Sequence, residues 1–398
     1  MSRSTLTLGV LFLGAFVMGC AEMIVVGLID RIASGLDVST SEAGALVTAN
    51  AIGMAVGGPL LAIATARLRR RPVLLGALVL FGAFNIVPVL WADYSAVLVA
   101  RLLIGTVQGV YVAAAMAVAV GAVAPERRGR AMAVVIAGSA TASAFGLPVG
   151  TVLGQLVGWQ GAFAAIVAIT VVVFVGAAVA VPAFSGERAT RRPGDVAAAF
   201  APRVLGVLAV CAVIFVAIQT ALTYVVPYLD EVSALTGPLV GVHLALYGIA
   251  TTLGSAMGGR FADADAPRTL VLGCLGLIAC LALWALAGSS PVVVAVAIFG
   301  AGLFGMGMAP SMQHRVMGLA GGGAAVAAAL PSAAVNVGIA VGATTGGWTI
   351  DAVGMPGVPV AACVVAIAAL GAAIATRRWR TVGHGIDESI VEGGSWKA

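Results

Sequence analysis

Apolar stretches of about 20 residues recur along this 398-residue chain, and no other feature limits its fold as strongly. A helix of that length rises about 1.5 Å per residue and matches the roughly 30 Å hydrocarbon core of a bilayer. Twelve such stretches are read, at about 6–29, 43–65, 73–91, 96–124, 131–157, 162–182, 204–227, 238–259, 269–288, 291–312, 321–348 and 357–376. In lipid every backbone polar group needs an internal partner, so spans of this kind fold as helices. The expected fold is an all-α membrane protein with twelve transmembrane helices. Composition agrees: 61% hydrophobic and 9% charged is too few charges for a soluble surface, where about 25% is usual. It is also too apolar for disorder. The first run is longer than a signal-peptide core of about 7–15 residues, so it is expected to stay despite the lipoprotein-like Gly19-Cys20.

Connections are short except 183–203, where Ser185, Gly186, Pro193, Gly194 and several charges interrupt the apolar pattern. That segment divides the chain into a six-span N-terminal half (1–182), a linker (183–203), a six-span C-terminal half (204–376) and a tail (377–398). Placing both ends in the cytoplasm puts 19 of the 21 Lys and Arg residues inside, leaving Arg31 outside and Arg101 within a span. Opposite connections carry Asp30, Asp37, Glu42, Asp93, Asp230, Glu231 and Asp351. Positive charge marks the cytoplasmic side, so an inner-membrane protein with cytoplasmic termini is expected. Basic residues scattered in this way form no face for nucleic acid. The five cysteines lie singly inside apolar runs and make no disulfide framework. No histidine spacing suits a metal, no phosphate-binding G-x-x-x-x-G-K-[ST] loop occurs, and no nucleophile–base pair suggests an enzyme. No cofactor is expected.

An offset of 197 residues brings Gly57 onto Gly254, Gly105 onto Gly302, Gly150 onto Gly347 and Arg71 onto Arg268. It also puts Gln219 at the place of Glu22 and Asp263 opposite Ala66. Between spans two and three, Gly57 and the run Ala66-Arg67-Leu68-Arg69-Arg70-Arg71 resemble the major facilitator signature G-x-x-x-D-R-x-G-R-[RK], with Ala66 replacing its acid and Arg69 its second glycine. Arg101 to Gly109 is similar to the family's R-x-x-x-G-x-x-x-G element of proton-coupled members. Gly146-Leu147-Pro148-Val149-Gly150 resembles the fifth-span element of its antiporters, and Glu22 with Gly27-Leu28 a first-span element of its drug–proton antiporter group. The likeness covers the whole chain in architecture and these motifs in residues.

That resemblance implies two pseudo-symmetric six-helix halves with a ligand site between them near the bilayer midplane. It further implies a monomeric exporter of drugs or metabolites, driven by protons through alternating access. A sugar or nucleoside facilitator or importer, and a non-transporting sensor, are the alternatives. Gly57, Arg67, Arg71, Asp263, Gly146, Pro148 and Gly150 would then serve conformational change.

Glu22 is the one acid placed inside a span, and Arg101 the one base. A carboxylate in hydrocarbon must face a wet cavity, pair with a cation or stay neutral. Counted along their helices, Glu22 lies about 10 Å and Arg101 about 8 Å below the outer surface. Their expected roles are proton carrier and modulating charge. Arg101 has a second reading, snorkelling to outer headgroups. Gln108, Gln219, Tyr224 and Asn336 are the expected substrate contacts, although such polar groups also serve as bonds between helices. His243 is a further titratable group near an outer end.

Overall fold

A computed structural model describes residues 3–65, 68–124, 127–182, 193–323, 327–328 and 330–379. Its long helices are α1 (Arg3–Gly27), α2 (Thr40–Ala64), α3 (Arg70–Leu90), α4 (Tyr94–Gly121), α5 (128–157), α6 (159–180), α7 (Pro202–Leu222), α8 (238–264), α9 (266–287), α10 (Pro291–Gly323), α11 (Leu330–Val353) and α12 (Gly357–Thr376). Two pairs join end to end with a break between them. Gly158, at φ 75°, separates α5 from α6, a conformation that costs glycine little. Asp265, at φ −159° and ψ 88°, separates α8 from α9, and its carboxylate accepts the amide of Arg268 at 2.9 Å.

Among the described residues nine stretches are long and apolar enough to cross a membrane. The twelve helices exceed that number for identifiable reasons. α8 and α9 form one continuous apolar stretch, α5 contributes only its last part, and α11 is diluted by Asn336, Thr344, Thr345, Thr349 and Asp351.

Local sequence fixes the helix starts. Ser39 and Glu42 form a reciprocal capping box at the start of α2, which satisfies two otherwise unpaired amides. Asp93 accepts the amide of Ala96 at 2.8 Å to start α4. Midway along its length α2 changes to a π-helical turn over Gly53–Gly57. Its glycines lie against α4, where a Cβ on Gly53 would strike the Leu102 carbonyl and one on Gly58 would come 2.9 Å from Gly109 Cα.

The two halves repeat one packing device. Gly138 of α5 seats on Phe12 and Ala15 of α1, and Gly338 of α11 seats on Ala212 and Phe215 of α7. Gly19 meets Ala142 as Gln219 meets Gly342, and Cys20 meets Gly146 as Thr220 meets Gly346. Each of these pairs differs from its mate by 200 residues, whereas Gly57 on Thr106 and Gly254 on Leu303 differ by 197. The stretch from the first to the second helix is three residues shorter in the C-terminal half, so no single offset aligns both sets. The packing therefore places Leu222, not Gln219, at the position of Glu22.

The halves meet at the end of the bundle away from Arg3 and Arg377, the distal end. There α2 lies along α11. Ser41 Oγ donates to Asp351 Oδ2 at 2.9 Å, and Thr48 Oγ1 contacts the Ala340 carbonyl at 3.3 Å and Thr344 Oγ1 at 3.2 Å. Tyr224, fully buried, donates to the Ala343 carbonyl at 2.9 Å and lies beside Gly44, Gly346 and Gly347. Above this seam a pocket of about 350 Å³ is lined by Asp30, Ser34 and Asp37 from one half and Pro227, Asp230 and Glu231 from the other.

Candidate functional site

Helix α4 organises the site. Arg101, with no exposed surface, donates Nη1 to the Ala21 carbonyl of α1 at 2.9 Å and Nε to the Leu46 carbonyl of α2 at 3.5 Å. Its Nη2 is buried without a hydrogen-bond partner in the structure. A guanidinium keeps its donors in a rigid fork, so these two bonds fix where the third nitrogen points. Glu22 follows Ala21 directly and lies within electrostatic reach of Arg101. The expected pair is thus brought together in one half. Arg101 is wholly buried with carbonyl partners and does not reach the outer end as snorkelling would require.

Two turns further along α4, Gln108 completes a polar ladder. Its Nε2 donates to the Met18 carbonyl at 2.6 Å, and its Oε1 accepts Asn50 Nδ2 of α2 at 3.1 Å. Helix α4 therefore holds α1 at Met18 and Ala21, and α2 at Leu46 and Asn50. Tyr111, one turn beyond Gln108, buries its hydroxyl against Gly14.

The other expected substrate contacts do not gather around this group. Gln108 is engaged at both ends of its amide, and Tyr224 sits in the distal seam. Gln219 is buried on α7 beside Gly342. Asn336 of α11 donates to the Ser332 carbonyl at 2.9 Å and keeps Oδ1 without a partner.

Among the motif residues, Gly57 gives α2 its close approach to Thr106. Gly146 and Gly150 do the same for α5 against Cys20 and Ile24, with Pro148 inside the helix between them. Arg71 donates Nη2 to the Ala178 carbonyl at 2.6 Å, joining the start of α3 to the end of α6 within one half. Asp263 is exposed at the end of α8. Ala66 and Arg67 lie outside the described residues. Arg315, read as a topology signal, is buried instead, with Nη1 3.1 Å from Thr376 Oγ1 and Nη2 2.5 Å from the Thr376 carbonyl at the end of α12. Both ring nitrogens of His243 face carbonyls, Leu239 at 2.8 Å and Pro291 at 3.1 Å.

Asn50 has no role in the sequence analysis, and neither do Ser41, Gly44 and Thr48. Their spacing of three and four residues, all small or hydroxylated, is the signal that one face of α2 meets another helix. Among the described residues no group of three or more His, Cys, Asp or Glu side chains suits a metal ion. The chemistry on offer is a single carboxyl group beside a cation fixed by backbone carbonyls.

Comparison with known proteins agrees with this architecture. Residues 11–329 match the Major Facilitator Superfamily. The inner membrane transport protein YdhP of Escherichia coli (strain K12) is 30% identical over 363 residues, covering 90% of this chain and 93% of that one. A chloramphenicol resistance protein of Streptomyces lividans is 31% identical over 346 residues, covering 85% and 88%. The MFS-type transporter YfhI of Bacillus subtilis (strain 168) is 30% identical over 353 residues, covering 87% of each. Among solved structures, a bacterial homologue of the human lysosomal transporter Spinster, inward-facing and unoccupied, superposes with a TM-score of 0.77. It covers 95% of this chain and 96% of its own at 14% identity, and so shares the fold. A helical bundle in two matched halves, closed at one end and matched to this family over most of its length, makes the chain a multi-pass membrane transporter of the Major Facilitator Superfamily.

Proposed function

We propose that the protein exports small molecules from the cell in exchange for protons, by alternating access of a site between its halves. The observation that supports this reading is the buried Arg101, held by the Ala21 and Leu46 carbonyls with Nη2 lacking a partner, within electrostatic reach of Glu22. The proton affinity of a buried carboxyl group depends on what surrounds it and its cation, and a substrate bound between the halves changes those surroundings. Loading Glu22 from the outside and discharging it inward returns the carrier for another cycle. With the basic connections inside, the termini are cytoplasmic, the membrane is the inner membrane, and the distal seam is the closed outer gate of an inward-facing state. The working unit is a monomer, with neither cofactor nor catalysed reaction.

The substrate class is an amphipathic drug or uncharged metabolite, which an apolar bundle with one carboxyl group suits. The chloramphenicol resistance relative supports a phenicol-like compound first. Gln219 and the open Oδ1 of Asn336 are its contacts, with Gln108 and Tyr224 released as the halves move.

Export profiling of cells that express the protein, against phenicols, sugars and nucleosides, tests this reading. The expected result is lower accumulation of at least one compound, reversed by a protonophore and absent in Glu22→Gln. Higher accumulation would indicate an importer, and no effect with any compound a non-transporting role.

A further inference from the structure

The two faces of α2 serve different partners. Leu46 and Asn50, one turn apart, face α4 through Arg101 and Gln108. Ser41, Gly44 and Thr48 run along another face at three-and-four spacing, and they meet Asp351, Tyr224, Ala340 and Thr344 of the other half. A helix turn is rigid, so a movement at one face is transmitted to the other. Gln108 carries it further. It donates to the Met18 carbonyl at 2.6 Å, the same carbonyl that helical pairing gives to the amide of Glu22.

Packing alone does not require these amides. In the C-terminal half, the 197-residue register puts Tyr247 at the place of Asn50, Gly305 at that of Gln108 and Ile298 at that of Arg101. There the helices approach closely without an amide bridge, and a Cβ on Gly302 would come 3.0 Å from the Tyr247 carbonyl.

We infer that Asn50 and Gln108 are positioning residues that tie closure of the distal gate to the protonation of Glu22. With the gate closed, the chain Thr48, Asn50, Gln108, Met18 holds the Glu22 turn, and Leu46 holds Arg101 in the same frame. Movement of α2 away from α11 pulls on both, so the proton affinity of Glu22 differs between the two states. By linkage, protonation then biases the gate by the same factor. This inference rests on reading Glu22 as the proton carrier.

Spin labels on Ala92→Cys and Ser289→Cys, exposed in distal connections of the two halves, report the open-to-closed ratio. The labels are placed in a chain whose native cysteines are alanine and whose Asp30, a second titratable group at the seam, is asparagine, reconstituted in lipid. The quantity of interest is the change in that ratio between its acid and alkaline plateaus, which equals the coupling factor. Asn50→Ala, Asn50→Leu and Gln108→Ala are each expected to reduce the change by about fivefold, the worth of one hydrogen bond. The Asn50→Ala/Gln108→Ala double variant should reduce it no further, because both remove one bridge. Thr48→Val is expected to move both plateaus together and preserve the change between them. A purely structural bridge would act like Thr48→Val, and an undiminished change in the Asn50 and Gln108 variants overturns the inference. A pH response that survives Glu22→Gln instead removes the Glu22 reading itself, and the inference with it.

Discussion

The N-terminal and C-terminal halves are built alike and equipped differently. In both, a helix carrying small residues at every fourth position, α5 or α11, lies against α1 or α7 with backbone nearly touching backbone. Among the described residues, only the first half sets a carboxyl group near a buried cation inside that frame, whereas the buried Arg315 of the second half is bonded to the end of α12. Leu222 stands where Glu22 would be repeated, and Ile298 where Arg101 would be. Duplication has preserved the packing of the bundle, and the chemistry is confined to one copy. A rocking transporter needs two matched halves to move, but one titratable site is enough to drive them.

The largest expected effects break this comparison directly. Arg101→Met leaves the Ala21 and Leu46 carbonyls without their donor and Glu22 without its cation. Proton-driven transport in vesicles should fall to the level of protein-free vesicles, whereas Ile298→Met should transport as the parent does. Equal losses from the two substitutions would contradict the asymmetry.

A second pair of substitutions sharpens the shared part. Gly138→Leu and Gly338→Leu drive a side chain into Phe12 or Ala212. Both should destabilise the protein by about 1–3 kcal/mol through overpacking, read as comparable falls in unfolding midpoint in detergent. A large loss in one half alone would mean that the halves are not packed alike.

Smaller effects are expected at the seam. Ser41→Ala removes the bond to Asp351 and should shift the equilibrium toward distal opening by about 1 kcal/mol, detected as faster thiol labelling of Ser34→Cys. The smallest effect is set by pH. Burial, and then repulsion from Asp230 and Glu231 across the seam, push the Asp30 carboxyl up to about 7, against a weaker opposing pull from Arg31. The nearby charged groups are Asp37 and Arg31 on its own helix and Asp230 and Glu231 opposite. Closure brings these groups together and so binds the proton more tightly than the open state. Closure should therefore weaken as pH rises from about 4 to about 7 and change little above that. Asp30→Asn should flatten this slope in the same labelling experiment.

Much of this was legible in the chain. Apolar length marked the helices, and the rarity of charge inside spans singled out Glu22 and Arg101 as candidates. What escaped depends on which surface a residue meets. Tyr224 reads as a cavity residue because its hydroxyl is polar, and only the neighbouring Gly44, Gly346 and Gly347 show it to be a wedge in the seam. Arg315 sits near a span end, where an arginine normally signals topology, and the bond to Thr376 comes from a helix 61 residues away. The repeat was matched through glycines in a chain holding 53 of them. A three-residue difference between first and second helices was invisible until side chains were seen in contact. Asn50 and Gln108 carry no sequence signal as a pair, because 58 residues separate them.

Proton release on substrate binding tests the central claim most directly. A compound identified by export profiling is added to the purified protein in weakly buffered detergent solution near the midpoint of the titration of Glu22. The account predicts release of up to about half a proton per protein, the share protonated at that midpoint, and none from Glu22→Gln under the same conditions. Release of unchanged size from Glu22→Gln would contradict it.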